Sequence, residues 1–213
     1  MIKQKIFFGR IQSRKISVEK KKILDQNYKT YLFHPDKLIK SKSIILEIGF
    51  GMGHNLLELA KQNPEQHIVG VDPFMNGVTS VINTCVQENI KNILIFPHPA
   101  QEFLESFKKI FFEKVFILFP DPWPKKKHHK RRLFQAIFVK KILEKIEPKG
   151  KLYFATDNQN YYEQALECLS NPAIQKIPII IKKTDPKELI LTKYFARAEK
   201  LGNKVNFLVI VKS

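Results

Sequence analysis

The chain has 213 residues, with 37 Lys and Arg against 20 Asp and Glu and a formal net charge of +17. That length suits one sizeable core with a short appended segment. No apolar run approaches the roughly 18 residues needed to cross a bilayer, and two cysteines are too few for a disulfide framework or a zinc site.

The basic excess clusters at Lys3–Lys22 and Lys125–Arg132. Clustering of this kind points to a polyanionic partner, because neutralised phosphates release counterions. Met1–Arg10 interleaves Lys3, Lys5 and Arg10 with apolar residues and has no continuous signal-peptide core, so a cytoplasmic protein is expected. Residues 1–42 read as a basic N-terminal arm (Arg14, Lys15, Lys20, Lys21, Lys22) of the kind that orders on binding. A lead-in helix follows over Pro35–Lys40.

From residue 43 onward strand alternates with helix. Lys42–Ile48 is a short apolar run ended by glycines, as in a buried parallel strand. Gly53–Gln62 follows as a helix with Leu56, Leu57, Leu59 and Ala60 inward. The spacing then predicts strands over His67–Asp72, Asn92–Phe96, Val115–Phe119 and Lys151–Thr156. Helices are predicted over Asn76–Glu88, Ala100–Lys109, Leu133–Ile146 and Asn160–Ser170. Two last strands, Gln175–Lys182 and Val205–Lys212, close the pattern. Such alternation implies right-handed crossovers. Residues 43–213 are therefore expected to form an α/β fold, a doubly wound and mostly parallel seven-stranded sheet whose last strand is antiparallel. Cys85 and Cys168 fall in apolar segments and read as buried, inert thiols.

Glu47-Ile-Gly-Phe-Gly-Met-Gly53 lies between the first strand and its helix. Gly49, Gly51 and Gly53 permit a tight turn and let a ligand lie against bare backbone. The second strand ends in Asp72, placed to accept hydrogen bonds from ribose hydroxyls. A dinucleotide site usually has glycine at the sixth position of the loop, where this chain has His54. It has instead a carboxylate, Glu47, two residues before the first glycine. An acid there is poorly placed for a pyrophosphate and well placed for the cationic sulfonium and ammonium of S-adenosylmethionine, which becomes the expected cofactor over NAD.

The fourth strand runs into Phe119-Pro-Asp-Pro-Trp-Pro-Lys-Lys-Lys-His-His-Lys-Arg-Arg132. In a doubly wound sheet, loops after the first and fourth strands flank one crevice, so Asp121 is expected near the glycine loop. Three prolines stiffen the segment. Trp123 is suited to stacking on a base, and Lys125 through Arg131 and Arg132 to tracking phosphates. No residue cluster implies a metal; His128 and His129 in a lysine run suit an RNA-facing surface.

This stretch closely resembles the signature of the bacterial tRNA (guanine-N7)-methyltransferase family. The resemblance runs from Ile45 through Gly202 and is supported by Leu46-Glu-Ile-Gly-Phe-Gly-Met-Gly-His54, Gly70-Val-Asp-Pro-Phe74, Ala155-Thr-Asp157 and Leu191-Thr-Lys-Tyr194. It implies methylation of guanine N7 in tRNA, at position 46 of the variable loop, to give 7-methylguanosine. By the same resemblance Glu47 and Asp72 contact the cofactor, and Asp121 is the catalytic acid lying against it. Lys125 and Asp157 meet the tRNA or its guanine, and Thr192 contributes to the substrate side.

Two positions depart from the family pattern. Pro99 stands where an acid normally reads the adenine amino group, which leaves backbone near Ala100, or Gln101, for that task. Phe195 replaces the glutamate of the motif that Thr192 opens. Two rivals share some features. The Asp-Pro-Trp loop is similar to the Asp/Asn-Pro-Pro-aromatic loop of adenine and cytosine amino-methyltransferases, and a basic RNA-binding protein with a disused cofactor pocket would carry the same charge. Neither monomer nor homodimer is implied.

Overall fold

Strand and helix alternate along the chain as the apolar runs require. The computed structural model describes residues 9, 11, 15–38, 43–107, 109–182, 200, 202 and 204–213. Thr192, Phe195 and the arm residues Lys3, Lys5, Arg10 and Arg14 thus lie outside the described residues. The strands are β1 (Ile44–Ile48), β2 (His67–Val71), β3 (Ile93–Phe96), β4 (Phe112–Leu118), β5 (Ile146–Thr156), β6 (Ile179–Lys182) and β7 (Asn206–Lys212). The helices are α1 (Val18–Tyr31), α2 (His54–Gln62), α3 (Met75–Gln87), α4 (Ala100–Ser106), α5 (Ala136–Lys145), α6 (Gln159–Leu169) and α7 (Pro172–Gln175).

The seven strands form a sheet in the order β3-β2-β1-β4-β5-β7-β6. The pairs β1/β2, β2/β3 and β4/β5 are parallel, and β7 runs antiparallel to both β5 and β6. The expected α/β class and the antiparallel last strand are both present. Ile45 to Ile48 in β1 and Asn206 to Ile210 in β7 are buried without alternation, so both faces of those strands are covered. Among the described residues no helix is long and apolar enough to cross a membrane.

The chain divides into two compact units, Met1–Phe107 and Lys108–Ser213. In the first, Phe33 packs edge-on against Phe96, Phe103 and Phe107 at centroid distances of 6.4, 5.1 and 4.8 Å. The segment before it differs from expectation. Residues read as an arm that orders on binding include a regular helix, α1, packed against α3. Ser17 caps its N-terminus, and Lys37 Nζ donates to the carbonyls of Lys29, Thr30 and Leu32 at its other end. Asn83 of α3 donates to the Lys20 carbonyl, and Tyr31 donates to the Ile90 carbonyl at 3.0 Å. Only Leu24 and Tyr31 of α1 are buried, which is why no amphipathic stripe marks the helix in the sequence. The lead-in helix expected at Pro35–Lys40 is a single 3-10 turn over Pro35–Leu38.

In the second unit Phe134, Phe154 and Tyr161 form the centre of the core, and the Tyr161 hydroxyl accepts the Phe134 N–H at 3.0 Å. The strand edges moved most here. β4 and β5 begin at Phe112 and Ile146, which pair with each other and are both buried. Glu113, Lys114 and the Glu147–Lys149 stretch break the apolar run that marks the later part of each strand. Asn171-Pro172 starts α7, with Asn171 as cap and Pro172 in the first turn, so β6 begins at Ile179 and not at Gln175. Cys85 and Cys168 are both buried, and burial pushes each thiol up to about 12, consistent with inert packing residues.

Candidate active site

The first unit carries a glycine loop fastened from below. Beyond β1, Gly49, Gly51 and Gly53 have φ of +79°, +54° and +83°, a region that side chains beyond Cα rarely tolerate. Asp72, just past β2, grips this loop. Its Oδ2 accepts the Gly51 N–H at 2.8 Å and its Oδ1 accepts the Phe74 N–H at 2.9 Å. The carboxylate expected to meet a ribose therefore also fixes the turn it faces. A third contact comes from α3: a Cβ on Gly77 would stand 1.7 Å from the Gly51 carbonyl oxygen. The sequence showed Gly77 only as a glycine inside a helix, where it costs about 1 kcal/mol relative to alanine.

Glu47 lies beneath the loop and is 3% exposed. Its Oε2 is fully enclosed and has no hydrogen-bond partner, and the same holds for Nδ2 of Asn55 in α2. Desolvation pushes the carboxyl up to about 8; the Asn55 side chain beside it opposes the shift and the charge of Asp72 adds to it. The Asn55 amide is near enough to act on the carboxyl, yet its Nδ2 falls short of a hydrogen bond. Leaving such a group unsatisfied costs on the order of 1–3 kcal/mol. An enclosed acid with an unpartnered oxygen, under a loop of bare backbone, fits the cationic end of S-adenosylmethionine. Asn55 was not singled out in the sequence; a polar residue on a helix face otherwise made of leucines was the available signal.

Pro99 and Ala100 sit past β3, whose register Val71↔Phe96 brings them to the same edge as Asp72. Pro99 caps α4 without a side-chain hydrogen bond, and Ala100 is buried. Pro99 itself has no side-chain acceptor for an adenine amino group. The nearest acid on α4, Glu102, faces His98 at 3.8 Å.

In the second unit Asp121 and Asp157 come to one edge. β4 and β5 pair in register Leu118↔Ala155, and each carboxylate follows its strand. Both are exposed. Phe119 and Trp123 bracket Asp121 with φ of +50° and +43°, a conformation that persists for such side chains only when the surroundings impose it. Lys125, Lys126, Lys127 and Lys130 are exposed, the last three on a 3-10 segment over Lys126–Arg131 that Lys125 precedes. Burial and the nearby Arg131, Lys127, Lys125 and Lys130 hold the His128 imidazole below its usual range.

The Arg131 guanidinium lies 5.0 Å from the Trp123 ring centroid and His128 meets the ring edge-on at 5.8 Å, while the indole stays partly exposed. One expectation needs correction here. Arg132, read as a phosphate contact, is only 2% exposed. Its guanidinium is turned inward onto Pro122, Asn160 and Gln164. In a run of basic residues, sequence alone cannot tell the one facing the core from those facing water.

A methyltransferase family model matches residues 41–208. The bifunctional methyltransferase of Rickettsia conorii is 33% identical over 208 residues, which cover 95% of this chain and 39% of that protein. The chain thus spans about two fifths of the length of that relative. The tRNA (guanine-N(7)-)-methyltransferase of Wolbachia pipientis wMel is 37% identical over 176 residues, covering 82% of this chain and 78% of the relative. Among solved structures, an rRNA methylase from Streptococcus thermophilus shares the fold with a TM-score of 0.56 at 12% identity, over 83% of this chain and 90% of that one.

Proposed function

The chain belongs to the tRNA (guanine-N7)-methyltransferase family, and from that premise we propose that it methylates N7 of a guanine in tRNA, the variable-loop guanine of the family resemblance, using S-adenosylmethionine. The observation that carries the reading is the enclosed Glu47 with its unpartnered Oε2 beneath the glycine loop. Residues 43–213 form the catalytic domain in this proposal, and the protein works in the cytoplasm, where tRNA matures.

S-adenosylmethionine, when bound, supplies an electrophilic methyl on a sulfonium. Glu47 holds the cationic amino-acid end, and its burial strengthens that attraction by excluding water. The backbone at Gly49, Gly51 and Gly53 gives a surface on which the ligand can lie closely. Asp72 orients the ribose, since a carboxylate has about four acceptor sites and can add hydroxyls to the N–H groups it already accepts. Backbone near Ala100 receives the adenine, because Pro99 has no acceptor to give.

Guanine N7 already carries an in-plane lone pair, so no proton has to leave before attack. Positioning is therefore the main task, worth up to about 7–11 kcal/mol in well-oriented reactions. Methylation leaves the base cationic. Asp121, with Asp157, is assigned to the N1–H and amino edge of the base, where a carboxylate stabilises that charge as it develops. The role of Asp121 is then orientation and charge stabilisation, with no general-base step.

The exposed lysines supply tRNA affinity without reading sequence. Lys20, Lys21 and Lys22 on α1 join Lys125, Lys126, Lys127 and Lys130 in this role. If about six phosphates are neutralised, log K is expected to fall with log salt at a slope of about −4 to −5. A flat response in a filter-binding titration would remove these lysines from the interface.

The reaction is tested by incubating the protein with unmodified tRNA transcript and labelled S-adenosylmethionine, then digesting to nucleosides for mass spectrometry. The expected product is 7-methylguanosine. A methylated adenine or cytosine amino group would reassign the chain to the amino-methyltransferases. No methylated nucleoside, with tRNA binding intact, would leave an RNA-binding protein.

A further inference from the structure

We propose that Arg132 is a positioning residue that sets the geometry of the Asp121-Pro122-Trp123 loop by clamping its backbone to α6. The inference rests on the proposed methyl transfer for its catalytic consequence, but the clamp itself is a property of the second unit alone.

Asp121 has no side-chain partner among the described residues, so its place depends on how the backbone around it is held. Two points hold it. On one side the Phe119 N–H donates to the Ala155 carbonyl at 2.8 Å, which ties the loop to the end of β5. On the other side Arg132 Nε donates to the Pro122 carbonyl at 2.7 Å. The rest of the guanidinium reaches α6. Nη1 donates to Gln164 Oε1 at 2.6 Å and more weakly to the Asn160 carbonyl at 3.5 Å, and Nη2 donates to Asn160 Oδ1 at 2.9 Å. The guanidinium carbon stands 4.8 Å from the centroid of the Tyr161 ring. A fixed planar fork of donors is what can bridge a loop carbonyl and two side chains one helical turn apart; a lysine has a single nitrogen to place.

The charge is unusual in what it meets. Among the described residues each of its hydrogen-bond acceptors is a neutral carbonyl or amide oxygen, and no carboxylate among them balances the buried cation. Burying a charge this way is costly unless every donor is engaged. A structural cation of the core would be expected to pair with an acid. One retained against neutral oxygens, with one of them belonging to the residue after Asp121, serves the loop. The left-handed φ values of Phe119 and Trp123 on either side of Asp121 indicate that the loop is held in a conformation it would not choose alone.

Trp123 is the only tryptophan in the chain and adjoins the clamped Pro122, so its fluorescence reports the loop directly. In Arg132→Lys the emission is expected to shift to longer wavelength as the indole loses its packing. S-adenosylmethionine binding by calorimetry should be retained, and kcat for tRNA methylation should fall by about 100-fold, the loss that a displacement of about 1 Å produces, with a much smaller change in KM. Gln164→Leu removes one leg of the clamp from a half-buried position on α6 and should give a smaller shift in emission and rate in the same direction, which keeps the test decisive if Arg132→Lys does not fold. Wild-type emission in both variants overturns the clamp. Shifted emission with an unchanged kcat overturns its positioning role, as does a loss confined to KM or to thermal stability. If the wild-type protein methylates no tRNA, the proposed reaction fails while the fluorescence still decides whether Arg132 holds the loop.

Discussion

Asp121→Asn is expected to bind S-adenosylmethionine as the wild-type protein does and to methylate tRNA about 100-fold more slowly or worse. The substitution keeps the size and shape of the side chain, so the two backbone anchors of the loop, at Phe119 and Pro122, are undisturbed. What it removes is negative charge where the base becomes cationic. It also replaces one acceptor oxygen with a donor, opposite a guanine edge that itself offers N1–H and amino donors. The loss should therefore fall on the chemical step. Single-turnover methyl transfer measured beside calorimetric cofactor binding separates the two quantities. An undiminished single-turnover rate would take Asp121 out of the reaction; weakened cofactor binding with a normal rate would move it to the cofactor side.

Cofactor affinity should rise with pH, and Glu47→Gln should abolish that rise. In the free protein the Glu47 carboxyl is pushed up to about 8 by burial, so it is mostly protonated at neutral pH. A cationic ligand needs the carboxylate, and binding near pH 7 must release close to one proton. Affinity is then expected to increase up to ~10-fold per pH unit between about pH 6 and 7.5. The amino group of the ligand itself titrates near pH 8, so the comparison with Glu47→Gln isolates the protein's share. Gln at this position has neither the charge nor the titration, and it should bind ~10–100-fold more weakly above pH 7 with a flat profile below it. Calorimetry in buffers of different ionisation enthalpy counts the protons directly. No proton released by the wild-type protein would mean that Glu47 does not meet the cation.

Glu47 also makes the stability of the ligand-free protein depend on pH. Its folded-state value lies above the unfolded value of 4.5, so the folded state holds the extra proton between about 4.5 and 8. Stability of the ligand-free protein therefore falls across that window as pH rises. A bound cation offsets the loss by partnering the carboxylate.

Alternating apolar runs and glycine breaks are local signals, and they specified the order of strands and helices from Ile44 onward to within a few residues in most cases. Glu47, the three glycines and Asp72 stood out in the sequence because their types and spacing fall on consecutive strand ends, and the structure ties Asp72 to the Gly51 backbone. The Asp-Pro-Trp loop was legible because its prolines and charges form an uncommon run. Elements held by a few long-range contacts were not. α1 buries only Leu24 and Tyr31, and its order comes from Asn83, Ile90 and Lys37, which the local pattern does not mark.

What the sequence by itself determined is the chemistry on offer: an acid under a glycine loop, an acid after the second strand, and a stiff acidic loop followed by a basic run. What only the tertiary structure decided is which way each side chain faces and what it meets there. Folding encloses Glu47 so that its proton becomes hard to remove and leaves its Oε2 unpartnered. It turns Arg132 inward while Lys125, Lys126, Lys127 and Lys130 stay in water, and it covers one side of Trp123 with Arg131. Residue type and spacing are properties of the chain, whereas desolvation and hydrogen-bond partners depend on atoms from distant segments, and those become neighbours only in the folded state.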